Sequence, residues 1–172
     1  MRTRQSRATM PGVAGAAPPP RLRLARLPTP FEPLDRLSER VGGPRIWVKR
    51  DDLSDCAVSG NKVRKLEFTI AQALQEGADT LITCGGLQSN HCRATALLGA
   101  RLGLGVELVL RGEPSGTPDG NLFLDRLAGA TVHCYPARQY QQEHEALLAA
   151  HASRLLDQGR HPFVIPTGAS DA

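Results

Sequence analysis

The sequence predicts an α/β fold built on a mostly parallel sheet. Short apolar runs alternate with helix-length segments of roughly 10–20 residues from about residue 46 to residue 166. Glycine or proline closes nearly every run. The 172 residues are 41% hydrophobic but only 4% aromatic, so a core can form and must consist mostly of Leu, Val, Ile and Ala.

In chain order, Pro28, Pro30 and Pro33 impose extended backbone and turns on Leu27–Leu34. A short helix is predicted at Leu34–Arg40, stopped by Gly42-Gly43, then a strand at Ile46–Arg50 ended by Asp51-Asp52. A polar loop, 53–60, leads into a helix over about 62–77. Its apolar face is Val63, Leu66, Ile70 and Leu74, at the helical period, with Asn61 as N-cap. Thr80–Cys84 reads as a strand stopped by Gly85-Gly86, and Asn90–Leu102 as a helix. Val106–Leu110 is a strand, Gly112–Gly120 a turn-rich loop, Asn121–Leu127 a helix and Thr131–Tyr135 a strand. A long helix, Gln139–Gln158, precedes the last strand, Pro162–Pro166, and a loop, Thr167–Ala172. In such sheets ligands bind beyond the carboxyl ends of the strands.

The net charge of +4 is misleading. Six of the 21 basic residues, and none of the 17 acidic ones, fall within residues 1–30, so the remainder is slightly acidic. No basic stripe interleaved with aromatics is present, which argues against nucleic acid. No apolar run approaches the roughly 18 residues of a membrane span. Residues 1–20 read as a disordered Arg/Ala/Pro-rich extension, either of transit-peptide character or a start placed too early, with Met10 the alternative. The four cysteines, at 56, 84, 92 and 134, have neither zinc-ligand nor disulfide-framework spacing; no metal is predicted, and a cytoplasmic setting is.

Two loops at predicted strand ends carry chemistry. The first places Lys62 in the opening turn of a helix, with Lys65 one turn on. A cation is misplaced at the positive end of a helix dipole unless an anion or reactive carbonyl sits there. Taken alone, the stretch also reads as a solvated lysine pair. The second, Gly85-Gly86-Leu87-Gln88-Ser89-Asn90-His91, combines glycines that allow close backbone approach with a helix start capped by Ser89 or Asn90. Its bland reading is an ordinary N-cap after a glycine turn. Together the loops say more. A lysine forming a Schiff base must be neutral, and a helix N-terminus plus a second cation, Lys65 or Arg64, favour that form. A carboxylate cradle beside it would hold an amino acid, so the pair points to pyridoxal phosphate.

Four stretches carry a specific resemblance: Lys49-Arg50-Asp51-Asp52-Leu53, Ser59–Glu67 (SGNKVRKLE), Gly85–His91 (GGLQSNH) and Gly120–Leu127 (GNLFLDRL). From about Leu27 to Ser170 the chain resembles the 1-aminocyclopropane-1-carboxylate (ACC) deaminase/D-cysteine desulfhydrase family. The resemblance implies a pyridoxal-phosphate enzyme of the tryptophan synthase β-like fold (fold type II), homodimeric in full-length relatives. It implies that Lys62 is joined covalently to the cofactor, that Lys65 helps hold the phosphate, and that Asn90 bonds the ring's phenolic oxygen. Ser89, Asn90 and His91 would hold the substrate carboxylate, and Ser89 would also act catalytically. His91 tips the resemblance toward the desulfhydrase branch. The implied organisation is 21–66 as part of a large lobe, 67–160 as a small lobe, and 161–172 as the resumption of the large one.

Family members run to nearly twice this length, so the chain is read as a partial member. It lacks the family's Gly/Ser/Thr-rich phosphate loop, the residue opposite the pyridine nitrogen and the stacking tyrosines. The expectation is weak cofactor binding and little turnover by this chain alone. The rival is an inactive fragment that associates through an unfinished face. A nucleotide-binding module is disfavoured, since neither GxGxxG nor GxxxxGK occurs.

Overall fold

The structure, a computed structural model, describes residues 18–55, 57–58 and 60–170. Residues 1–17 of the predicted extension, and Ser59, lie outside the described residues. The proline-rich stretch is extended as predicted, but Phe31–Pro33 (β1) also pairs, antiparallel, with Trp47–Lys49 (β2) across the helix Asp35–Val41 (α1). This two-stranded unit stands apart from the main sheet. The strand predicted at Ile46–Arg50 therefore does not join the parallel set. Its partner contains Pro33, which has no N–H to give a ladder and is confined to such edges.

A 3₁₀ turn, Asp51–Leu53, leads toward α2 (Lys62–Gln75). Then follow β3 (Thr80–Gly86), α3 (Asn90–Leu102), β4 (Gly105–Arg111), α4 (Gly120–Leu127) and β5 (Thr131–Tyr135). The long helix α5 (Ala137–Asp157), β6 (Pro162–Val164) and a 3₁₀ turn at Thr167–Ala169 complete the described chain. The main sheet is parallel throughout, in the order β5-β4-β3-β6. Residues 62–66, assigned from the resemblance to the large lobe, share α2 with residues 67–75, and β6 lies in the same sheet as β3.

The central strands are apolar on both faces because helices cover both. Leu81, Leu108 and Leu110 pack with α2 and α3, whereas Ile82, Cys84 and Val109 pack with Leu148 and Leu155 of α5. That split follows from the two-residue period of a strand. The α2 face is Val63, Leu66 and Ile70 as predicted, but Ala73 is buried where Leu74 is 39% exposed. Burying Leu66 and Ile70 completely contributes roughly 1.5–3 kcal/mol each. No aromatic side chain is among the buried hydrophobic residues described, as the composition required.

Two polar groups on α2 hold it to the N-terminal segment. Arg64 grips Asp51 through two nitrogens, 2.8 and 3.0 Å from the carboxylate oxygens, and Thr29 donates to the same carboxylate. Glu67 is buried, yet it accepts the backbone N–H groups of Leu24 and Ala25, each at 2.8 Å, and pairs with Arg21. Burial pushes the Glu67 carboxyl up, but the Ala25 N–H, the Arg21 guanidinium and the Leu24 N–H outweigh it and hold the group below the usual range. Glu67→Ala strands two backbone donors and should lower stability by about 2–4 kcal/mol. A urea midpoint equal to that of the unsubstituted chain would contradict this assignment.

Candidate active site

The first turn of α2 carries Lys62, Arg64 and Lys65 in three environments. Asn61 precedes it with helical backbone angles and makes no side-chain cap, so the predicted Asn N-cap is absent. Position 61 has already turned helical, which removes the extended geometry a capping side chain needs. Arg64 is committed to Asp51 and is not the cation beside Lys62; Lys65 fills that role. Lys65 Nζ lies 2.6 Å from Ser170 Oγ and 3.4 Å from the Gly168 carbonyl. Lys62 is half-buried and makes no hydrogen bond or ion pair among the described residues. Its Nζ faces Gly168, where an added Cβ would sit 3.7 Å away.

The turn that receives these lysines is itself unusual. Gly168 has φ +68°, and the next residue, Ala169, has φ +49°. A non-glycine residue in the left-handed region costs roughly 1–2 kcal/mol. The turn is tied to the sheet by Thr167, whose hydroxyl lies 3.2 Å from Cys84 Sγ.

The third component is the start of α3. The strand β3 continues through Gly85 and Gly86 rather than stopping before them. A Cβ at Gly85 would lie 2.7 Å from Ser89 Oγ and 2.9 Å from Cys92 Sγ. The space at Gly85 is thus filled by the protein itself, not by a ligand. At Gly86 the nearest atom to an added Cβ is Arg111 Nη2, at 4.0 Å, so Gly86 is the open position. Ser89, not Asn90, is the N-cap: its Oγ accepts the Cys92 N–H at 3.2 Å. The backbone N–H groups of Asn90 and His91 have no partner among the described residues, as expected of a first helical turn.

Asn90 is exposed, and its amide is oriented by residues to which the sequence assigned no role. Asn121, at the start of α4, donates through Nδ2 to the Gln88 carbonyl at 2.9 Å and to Asn90 Oδ1 at 3.1 Å. Gln88 accepts the Asn121 N–H at Oε1 and donates through Nε2 to Asp119. With Oδ1 engaged, Asn90 presents Nδ2 as a donor. Asn121 sits in the quoted GNLFLDRL stretch, the signal that could have singled it out.

His91 points the other way, into the core, and is 3% exposed. Thr83 gives its single hydroxyl proton to the Ile165 carbonyl at 2.9 Å, so it accepts from His91 Nε2, also at 2.9 Å. The imidazole is therefore the neutral Nε2–H form, and its buried Nδ1 has no hydrogen-bond partner. Burial, reinforced by Lys62 and Lys65, pulls His91 down to about 4.

A hollow of about 680 Å³ lies away from these residues, between Arg21, Arg23, Glu67 and Phe68. A lysine without a hydrogen bond or ion pair among the described residues, a second cation and a helix N-terminus are the features that a carbonyl compound bearing anionic groups would require. Residues 22–172 match the family described as pyridoxal-phosphate dependent enzyme, and the chain belongs to that family.

Within it, the chain is 45% identical over 156 residues to the mitochondrial bifunctional D-cysteine desulfhydrase/ACC deaminase of Arabidopsis thaliana, covering 87% of this chain and 38% of that one. It is 45% identical over 159 residues to the D-cysteine desulfhydrase of Salmonella paratyphi B, covering 89% and 47%. The crystal structure of an ACC deaminase homologue superimposes with a TM-score of 0.81 at 37% identity, over 89% of this chain and 46% of that one. An O-ureido-L-serine synthase shares the fold at TM-score 0.60 and 19% identity, over 78% and 40%. The fold is thus that of the type II pyridoxal-phosphate enzymes, as the resemblance implied. The chain spans under half the length of these curated relatives.

The residues present fit the cofactor. Lys62 makes no hydrogen bond or ion pair among the described residues, Lys65 supplies a cation, Asn90 offers a donor, and the N–H groups of Asn90 and His91 are unpartnered among those residues.

The neutral state of His91 gives a pH dependence. In the unfolded chain an imidazole gains its proton near 6.5; in the folded chain His91 does so only near 4. The unfolded state binds more protons between these values, so stability should fall as pH drops through that window. Urea midpoints at pH 7 and pH 5 should differ, and His91→Gln should shrink the difference. An unchanged slope in that variant would show that another group is responsible.

Proposed function

We propose that this chain provides the lysine-bearing part of a pyridoxal-phosphate lyase or deaminase acting on a small amino acid. The substrates that fit the relatives' names are D-cysteine, giving pyruvate, sulfide and ammonia, and ACC, giving 2-oxobutanoate and ammonia. The observation that carries the proposal is the meeting of unpaired Lys62, the Gly168 turn and the first turn of α3 at one end of the sheet.

In this reading Lys62 is the covalent anchor, Lys65 holds the phosphate and Asn90 donates Nδ2 to the ring's phenolic oxygen. Bound cofactor supplies an electron sink for the carbanion formed at the substrate Cα. Ser89, Asn90 and His91 hold the substrate carboxylate, with His91 contributing its backbone N–H, since its imidazole is turned into the core. The Ser89 hydroxyl accepts in the helix cap and keeps its own proton available for transfer. The division into lobes at 66/67 and 160/161, a cytoplasmic location and homodimerisation of the full-length protein belong to the same proposal. Among the described residues no helix is long and apolar enough to cross a membrane.

Borohydride reduction of the chain mixed with pyridoxal phosphate should leave a pyridoxyl group on Lys62, found by peptide mass mapping, and none in Lys62→Ala. A label confined to Lys49 or Lys65 would overturn the assignment. Little pyruvate should form from D-cysteine with this chain alone.

A second reading has its own support. Phe31, Val41, Trp47 and Leu53 are 43–64% exposed, concentrating apolar surface on the N-terminal segment. An inactive chain that associates through this face is the alternative. Size-exclusion chromatography should show dimers or larger species that Phe31→Ser with Trp47→Ser converts to monomer. Monomeric elution of the unsubstituted chain would rule this out.

A further inference from the structure

Glu107, His133 and His151 belong to β4, β5 and α5, and they meet beneath α5 on the sheet face opposite α2 and α3. In the β4–β5 register Glu107 pairs with Thr131 and Val109 with His133, so Glu107 and His133 project to the same side. Nothing in the lysine site uses them.

We propose that Glu107, His133 and His151 form a binding site for a divalent transition-metal ion, with zinc the ion that suits the donor set. Their ligand atoms all lie within 4.8 Å of one another. His133 Nε2 and His151 Nδ1 stand 3.1 and 3.3 Å from Glu107 Oε2. Zinc bonds of about 2.0–2.2 Å at tetrahedral angles set neighbouring ligand atoms roughly 3.3–3.6 Å apart, so both histidine–carboxylate separations already lie close to what the ion requires. Two imidazoles and a carboxylate form a three-ligand set that leaves a fourth position for water.

The inward nitrogen of His151 is aimed at the Glu107 carboxylate. His151 Nδ1 is buried and lies outside hydrogen-bond geometry with Glu107, despite the short separation. The opposite nitrogen, Nε2, is bonded to the Tyr135 hydroxyl at 2.9 Å. An outer hydrogen bond of this kind fixes the ring of a metal-bound histidine. The side chain of Glu107 is 8% exposed and that of His133 26%, so the carboxylate is shielded while one edge of the cluster stays open to solvent. The competitor is Arg154, whose Nη2 lies 2.6 Å from both Glu107 oxygens. Its side chain is 43% exposed on a flexible stem, so it can keep to Oε1 and yield Oε2 to the ion.

The test is calorimetric titration of the chelator-treated 172-residue chain with zinc chloride. One tight equivalent is expected, weakened at least about tenfold in His133→Ala and in His151→Ala. Arg154→Ala removes the competing cation and should bind zinc as tightly or more so. Far-UV circular dichroism checks that each variant folds. A second measurement needs no variant: cobalt(II) should shift and broaden the ring proton resonances of His133 and His151 before those of other histidines. Undiminished zinc binding in both histidine variants, loss of binding in folded Arg154→Ala, no tight equivalent in the folded chain, or cobalt effects confined to other histidines would each overturn the site.

Discussion

The end of β3 and the start of α3 share a space too small for a side chain at position 85. Because Gly85 has no Cβ, the Ser89 hydroxyl and the Cys92 thiol can lie directly against the strand. That contact sets where the helix begins, and other features of the site follow from it. Ser89 turns its oxygen to the Cys92 N–H, and the N–H groups of Asn90 and His91 are left without a partner among the described residues. Asn90 emerges on the open side, where Asn121 can orient it, and His91 is driven inward onto Thr83. Thr83 passes the constraint on by donating to Ile165, which places the Thr167–Ala169 turn opposite the two lysines.

The opening of α2 divides its labour over a few residues. Val63 and Leu66 enter the core, while Arg64 and Glu67 tie the helix to the segment before it. Only Lys62 and Lys65 remain for chemistry. The charges of this motif are not equivalent: Arg64 and Glu67 build the scaffold, Lys65 bonds the 168–170 turn, and Lys62 makes no hydrogen bond or ion pair among the described residues. The left-handed backbone at Ala169, strained and beside the lysines, is of the kind that collects at functional turns.

The two faces of the sheet are chemically separate. One holds α2, α3 and the lysine site; the other holds α5 over Glu107, His133 and His151. Alternation along β4 accounts for this, because Leu108 and Glu107 necessarily point to opposite sides. A buried carboxylate with three nitrogen-bearing neighbours lies under a helix whose buried hydrophobic residues are Leu148 and Leu155.

By itself the sequence determined the alternation of elements, the parallel sheet, the Val63–Leu66–Ile70 face and the lysine and GGLQSNH motifs, because these are properties of neighbours along the chain. Periodicity reports burial, and glycine or proline reports where an element stops. Only the tertiary structure decided what depends on distant partners. It removed β2 from the main sheet through its pairing with a proline-containing strand. It assigned the cap to Ser89, bound Arg64 to Asp51, and gave Asn121 the task of turning Asn90. It also buried His91 and gathered residues 107, 133 and 151, whose separation in sequence conceals any ligand spacing. A side chain's type states what it is able to do, but its protonation, free hydrogen-bond capacity and direction are set by the atoms the fold places around it.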